Sequence, residues 1–213
     1  MTFDLIRNAK IIFWDFDGVI KESVSVKSEA FYKLFLNFGS DLAKKVKNHH
    51  ENNGGMSRYE KLPIYLNWAG EKFSKDLIIE YEKQFSYLVK QKVINSPWVE
   101  GVLNYLQRNF ERQMFFLVTA TPQLEIDDIL RKLEIEHFFK KVIGSPLEKK
   151  EALHKLLNNY NIKLREAIMI GDSFSDYEAA KKNQVTFIIR KTELNKKLQK
   201  KLKFRMIENF SYG

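Results

Sequence analysis

Four aspartates in two short clusters are the residues most able to do chemistry in this chain. Asp15 and Asp17 stand two apart in WDFDGVI, and Asp172 and Asp176 stand four apart in GDSFSD. Each cluster follows a short apolar run and carries a glycine, Gly18 in the first and Gly171 in the second. Carboxylates gathered at one place repel unless a hard cation neutralises them, and magnesium, which takes oxygen ligands in octahedral geometry, suits such a set. Two further residue types fit beside them. Thr119 ends another apolar run, Met114–Thr119, and Lys149 or its neighbour Lys150 opens a helical stretch where an ammonium would face an anionic substrate. Taken singly, each has an ordinary reading. D-x-D-G is common turn chemistry, a threonine closes many strands, Asp176 reads as a first-turn acid, and a lysine is normally solvated. Their order along the chain, each at the end of an apolar run, argues for one site.

The elements that must carry these residues are legible from the apolar pattern. Lys10–Asp15, Met114–Thr119, Ala167–Ile170, Val185–Ile189 and, more weakly, Lys141–Ile143 are short apolar runs closed by Gly, Pro or a charge, and they read as buried strands. The second run breaks at Thr121-Pro122. Between the runs, Leu124–Leu133, Lys149–Tyr160 and Phe174–Lys182 carry apolar residues at helical spacing, the last behind a Ser175/Asp176 cap signal. Strands alternating with such helices imply βαβ units, a parallel sheet covered on both faces, and a site at the carboxyl ends of its strands. From about residue 22 to 93 no buried strand is apparent. Helical patterns over Ser28–Phe38, Tyr59–Trp68 and Lys75–Val93 fill that block, with a polar loop at Asn48–Gly55 (NHHENNGG).

Bulk composition narrows the function classes. A chain of 213 residues, 44% hydrophobic and 30% charged, is long enough for a substantial core without staples. It has no cysteine, which removes disulfides, thiolate catalysis and cysteine-bound metal. The first apolar run is cut at once by Asp15, so neither a signal peptide nor a membrane span is expected, and a cytoplasmic location is the default. The net charge of +9 draws on a cluster at Lys196, Lys197, Lys200, Lys201 and Lys203 with no aromatic residue interleaved before Phe204. That pattern reads as a solvated helix face, not a nucleic-acid platform. No sequence feature sets an oligomeric state.

With these residues in view, the chain resembles the haloacid dehalogenase-like hydrolase superfamily, closest in general character to phosphoglycolate-phosphatase-like members with an α-helical cap. WDFDGVI, LVTATP, SPLEKK and IMIGDSFSD match its four motifs, and the likeness spans nearly the whole chain. The resemblance implies an α/β fold: a Rossmann-like parallel core of strand order 5-4-1-2-3, formed by residues 1–21 and 94–213, with a small α-helical cap inserted at 22–93. It implies Asp15 as a nucleophile that forms an aspartyl-phosphate, and Asp17 as general acid and base. It implies Mg2+ held by Asp15, the Asp17 main-chain carbonyl and Asp172, with Asp176 in support. Thr119 and the N–H of Ala120 would bind phosphoryl oxygens, with Gly18 a further substrate-binding position. Lys149 would neutralise charge; similar chains show Ser-Pro, two residues, then the lysine, which here favours Lys149 over Lys150. Dehalogenases and phosphonatases of this superfamily lack the second aspartate, so Asp17 points to phosphate esters.

In the cap, Asn53–Leu62 (NGGMSRYEKL) is the candidate specificity segment. Arg58 and Lys61, three apart on one helical face, would reach the substrate, while Ser57 and Glu60 also read as a capping box. His49 and His50 are expected to be solvated loop residues. The resulting expectation is a Mg2+-dependent phosphatase acting on a small phosphorylated metabolite of the phosphoglycolate, sugar phosphate or nucleotide type. A β-phosphoglucomutase-type phosphomutase and a non-catalytic binding module on the same fold are the alternatives.

Overall fold

A computed structural model describes residues 2–72, 74–202 and 205–211. Lys203 and Phe204 of the basic cluster lie outside the described residues. Six strands form one parallel sheet: β1 (Ile11–Trp14), β2 (Met114–Pro122), β3 (Phe139–Ser145), β4 (Ala167–Gly171), β5 (Thr186–Arg190) and β6 (Met206–Ile207). Their spatial order is β3-β2-β1-β4-β5-β6. The five expected strands keep the expected order, and the two-residue β6, too short to leave an apolar pattern, adds an edge beside β5.

The central strand shows why this sheet must be covered on both sides. All four residues of β1 are buried. Side chains alternate across a strand, so Ile12 and Trp14 enter one apolar cluster while Ile11 and Phe13 enter the other. Burial of each such side chain is worth about 1.5–3 kcal/mol. The helices α1 (Thr2–Asn8), α6 (Val102–Asn109), α7 (Gln123–Lys132), α8 (Lys149–Asn159), α9 (Phe174–Lys182) and α10 (Lys196–Leu202) surround the sheet, with α8 and α9 packed in the second cluster. Register pairs Trp14 with Leu117 of β2 and Ile170 of β4, so these three strands end at one level. Asp15, donating its N–H to the Ile170 carbonyl at 3.0 Å, begins where they stop.

Between β1 and α6 lie four helices: α2 (Val24–Leu34), α3 (Ser40–Asn52), α4 (Arg58–Trp68) and α5 (Lys75–Asn95). The polar stretch expected to be a loop from 48 is largely the end of α3, and only residues beyond Asn52 leave the helix. That helix buries just Ala43, Val46 and His50, a stripe too narrow for the apolar pattern to announce. Phe31, Phe35, Tyr65 and Phe85 form an aromatic core among α2, α4 and α5. Two crossings join this block to the sheet: Val99 N–H donates to the Ile20 carbonyl at 3.0 Å and Glu22 N–H to the Pro97 carbonyl at 2.9 Å.

Candidate active site

Sheet register brings the predicted residues together. Asp15 follows β1, Thr119 lies in β2 where its pairing with β3 shifts between Val118 and Pro122, and Asp172 follows β4. The Thr121-Pro122 step does not end β2 as the sequence suggests; Pro122 pairs with Ser145 after that irregularity. Asp15, Asp17, Thr119, Ala120, Lys149 and Asp172 all line one partly open cavity of about 70 Å³ beneath the α2–α5 block. Arg58, Lys61 and His50 close it from the other side, with Phe31, Phe85 and Met56 between.

Lys149, the first residue of α8, is buried and reaches both Asp15 Oδ2 at 2.8 Å and Asp176 Oδ1 at 2.7 Å. Lys150 points away and pairs with Glu148 at 2.5 Å. Asp176 is fully buried. Its Oδ2 accepts from the Ser173 N–H at 3.1 Å and the Ser173 hydroxyl at 2.5 Å. The capping box of α9 is therefore Ser173 with Asp176, not the Ser175 signal read from sequence. Carboxylate oxygens of Asp15, Asp172 and Asp176 lie within 4.8 Å of one another. Burial, reinforced by the Asp176 charge and opposed by Lys149, pushes the Asp15 carboxyl up to about 7. Burial beside Asp15 and Asp176 holds Asp172 well above the ordinary carboxylate range. Burial alone would lower the Lys149 ammonium, but the two carboxylates it touches outweigh that and raise it. Three buried acids share one ammonium.

Asp17 has different company. Its side chain accepts from the Ser23 hydroxyl at 2.6 Å, the Thr121 hydroxyl at 3.2 Å and the Lys27 ammonium, which also donates to Thr121 at 2.8 Å. Burial raises this carboxyl, yet Lys27 and the hydroxyl donors more than offset it and hold it below its usual value. Gly18 does not line the cavity. Its φ of +74° is a left-handed conformation that glycine adopts freely, and a Cβ there would stand 2.2 Å from Asp172 Oδ2. Its place is to let the first loop close against the Asp172 carboxylate. Thr119 Oγ1 accepts from the Thr121 N–H at 3.2 Å, which leaves its own proton to offer into the cavity.

On the helical side, the structure divides the two expected basic residues. Arg58 is buried and gives a forked pair of hydrogen bonds to Glu125 of α7, at 2.8 and 2.5 Å, with Ser86 bonded to both. Lys61 donates to, or shares a proton with, His50 Nδ1 at 2.9 Å. His50 is buried and lines the cavity, so the reading of it as a solvated loop residue is corrected. His49 accepts or donates at Tyr65 Oη, 3.0 Å away, instead of facing water alone. The Ser57–Glu60 box is reduced to a contact between their side chains at 3.3 Å, with no bond from the Ser57 side chain to the helix backbone. Lys27, Ser23, Thr121 and Glu125 escaped the sequence reading. Ser23 and Lys27, four apart at the start of the helix after D-x-D-G, carried a usable signal; Glu125 and His50 meet their partners across separate helices and carried none.

The family model for haloacid dehalogenase-like hydrolase matches residues 11–189. A phosphorylated carbohydrates phosphatase of Thermotoga maritima is 26% identical over 180 residues, covering 80% of this chain and 79% of its own. A phosphoglycolate phosphatase of Colwellia psychrerythraea is 24% identical over 187 residues, covering 83% and 81%. Among solved structures, one described as a "predicted phosphoglycolate phosphatase" from Haemophilus somnus superposes with a TM-score of 0.74 at 16% identity, over 96% of both chains, and so shares the fold.

Proposed function

Because the chain belongs to the haloacid dehalogenase-like hydrolase family, we propose that it is a phosphatase that hydrolyses a small phosphate monoester through an aspartyl-phosphate on Asp15. The observation that carries this reading is the pairing of two unlike carboxylates on one cavity: Asp15 bonded to Lys149, and Asp17 bonded to Lys27 and two hydroxyls. Carboxylates pushed apart in titration take separate acid–base roles. In this scheme residues 22–93 act as a cap over a catalytic core of 1–21 and 94–213.

An Asp15 oxygen attacks phosphorus in line, and the bond from phosphorus to the ester oxygen breaks. Asp17 gives that oxygen its proton, then takes one from the water that cleaves the acyl phosphate. Lys27 favours the ionised form of Asp17, which suits the second half. The proton for the first half is supplied when the ester binds as its monoanion, since the second phosphate ionisation lies near pH 6. Thr119 and the Ala120 N–H hold the phosphoryl oxygens, and Lys149 compensates charge on Asp15 as the phosphoryl group arrives.

The buried, all-oxygen set of Asp15, Asp172 and Asp176 fits a hard divalent cation, and their excess of negative charge over the single Lys149 calls for one. These three residues, with the Asp17 main-chain carbonyl, would hold Mg2+. Bound there, it would offset the repulsion between nucleophile and phosphate. Steady-state hydrolysis of p-nitrophenyl phosphate with magnesium is the test. Asp15→Asn should lower turnover by at least about a thousandfold with the fold retained by circular dichroism; wild-type turnover in that variant would refute the mechanism.

A further inference from the structure

Four cations line this cavity, and three already have a carboxylate. Lys149 bridges Asp15 and Asp176, Lys27 holds Asp17, and Arg58 is taken in a fork by Glu125. Lys61 is the exception. It is 1% exposed, and among the described residues its one hydrogen-bond partner is Nδ1 of His50. The nearest aromatic face, that of Phe31, is 5.9 Å from the ammonium and offers weak compensation. A buried ammonium with no carboxylate in contact, only Glu60 and Asp17 acting at longer range, is costly to the folded protein, so its presence in the wall of a reaction cavity points to an anion supplied from outside.

His50 completes the arrangement. Its ring is buried against Phe31, 4.8 Å between centroids, and packs where Lys61, Lys27 and His49 disfavour a second positive charge. A neutral imidazole that accepts at Nδ1 fixes one proton of Lys61 and leaves the other two to point into the cavity. With a phosphoryl group at the end beside Asp15 and Thr119, the rest of the ester extends along the same lining toward Lys61.

We propose that Lys61, oriented by His50, is a specificity site that receives a second anionic group of the substrate. The preferred substrates are then phosphate esters carrying a carboxylate or a second phosphate, in place of uncharged sugar phosphates. The inference rests on the phosphatase reading of the same cavity and deepens it. It separates the two expected cap contacts by role: Arg58 serves the protein, Lys61 serves the ligand.

The test, run below pH 7 so that Lys61 carries its proton, compares a phosphorylated hydroxy acid of two or three carbons with its primary amide, which differs in charge and hardly in shape. Propane-1,3-diol bisphosphate and monophosphate form a parallel pair, and p-nitrophenyl phosphate is the reference. Wild-type enzyme should favour the acid over the amide, or the bisphosphate over the monophosphate, by about tenfold to a hundredfold in kcat/KM, the range of one charge-assisted hydrogen bond. Lys61→Gln should erase that preference, chiefly by raising KM for the anionic member, and Lys61→Arg should restore part of it. His50→Gln should weaken it less than Lys61→Gln does. Which pair shows the preference identifies the anion. Equal kcat/KM within both pairs, or a preference that survives Lys61→Gln, overturns this inference alone. Failure to turn over p-nitrophenyl phosphate as well overturns the phosphatase reading beneath it.

Discussion

Replacing Lys61 by methionine should stabilise this protein, and by an amount that depends on pH in a calculable way. Burial, with Lys27 adding repulsion, lowers the Lys61 ammonium from 10.5 to about 7. That interval corresponds to about 5 kcal/mol, at roughly 1.36 kcal/mol for each tenfold change in proton affinity. Below pH 7 both folded and unfolded chains hold the proton, so the folded protein carries the full penalty. Between 7 and 10.5 the unfolded chain is protonated and the folded chain is not, and stability rises with pH by about 1.4 kcal/mol per unit. Methionine fills a similar volume and has no such dependence. It does leave His50 Nδ1 without its partner, which costs about 1–3 kcal/mol at every pH. The absolute gain at pH 6 is therefore about 2–4 kcal/mol, and the informative quantity is how the gap between variant and wild type changes. Urea denaturation of both proteins at pH 6, 7, 8 and 9 should show a gap flat to pH 7, then closing by about 3 kcal/mol by pH 9. His50 is neutral over that range in both proteins, because its own titration lies well below 6.5. A gap that stays constant from pH 7 to 9 would show that Lys61 titrates normally and that the penalty argued here does not exist.

Other perturbations reach different parts of the molecule. Glu125→Gln leaves the Arg58 guanidinium enclosed without its anion and should cost about 3–5 kcal/mol in urea, whereas the double change Arg58→Met, Glu125→Leu should recover most of that loss. Gly18→Ala meets both a left-handed backbone and the Asp172 carboxylate at 2.2 Å; the variant should lose phosphatase activity more than stability, read as kcat against thermal midpoint. Chelation by EDTA should abolish hydrolysis of p-nitrophenyl phosphate, with recovery on adding magnesium, since three clustered acids would otherwise face the phosphate with one lysine between them.

What the sequence disclosed depended on how local each signal was. Strands buried on both faces, such as Ile11–Trp14, declare themselves as unbroken apolar runs, and the acids that follow them inherit a position at the sheet edge by topology alone. Lys149 could be chosen over Lys150 because helix α8 presents its first residue inward, a choice the Ser-Pro spacing anticipates. The helical block was harder. Helix α3 is mostly charged and buries one thin stripe, so its final turn passed for a polar loop and His50 for a solvated residue. Arg58 and Lys61 were found as a pair because they share a face, but their separate duties are decided by Glu125 and His50, which arrive from other helices. No spacing rule within Asn53–Leu62 contains that information.

The Arg58–Glu125 fork has a consequence for traffic through the site. It ties the first turn of α4 to the first turn of α7, so the helical block rests on the sheet domain through a bond that needs no ligand to complete it. The block is therefore pinned to the sheet domain before any ligand arrives. Any swing of the block away from the sheet would have to part that fork, with water rehydrating both ions. Dissolved salt, which screens charges once they are wetted, would ease that parting.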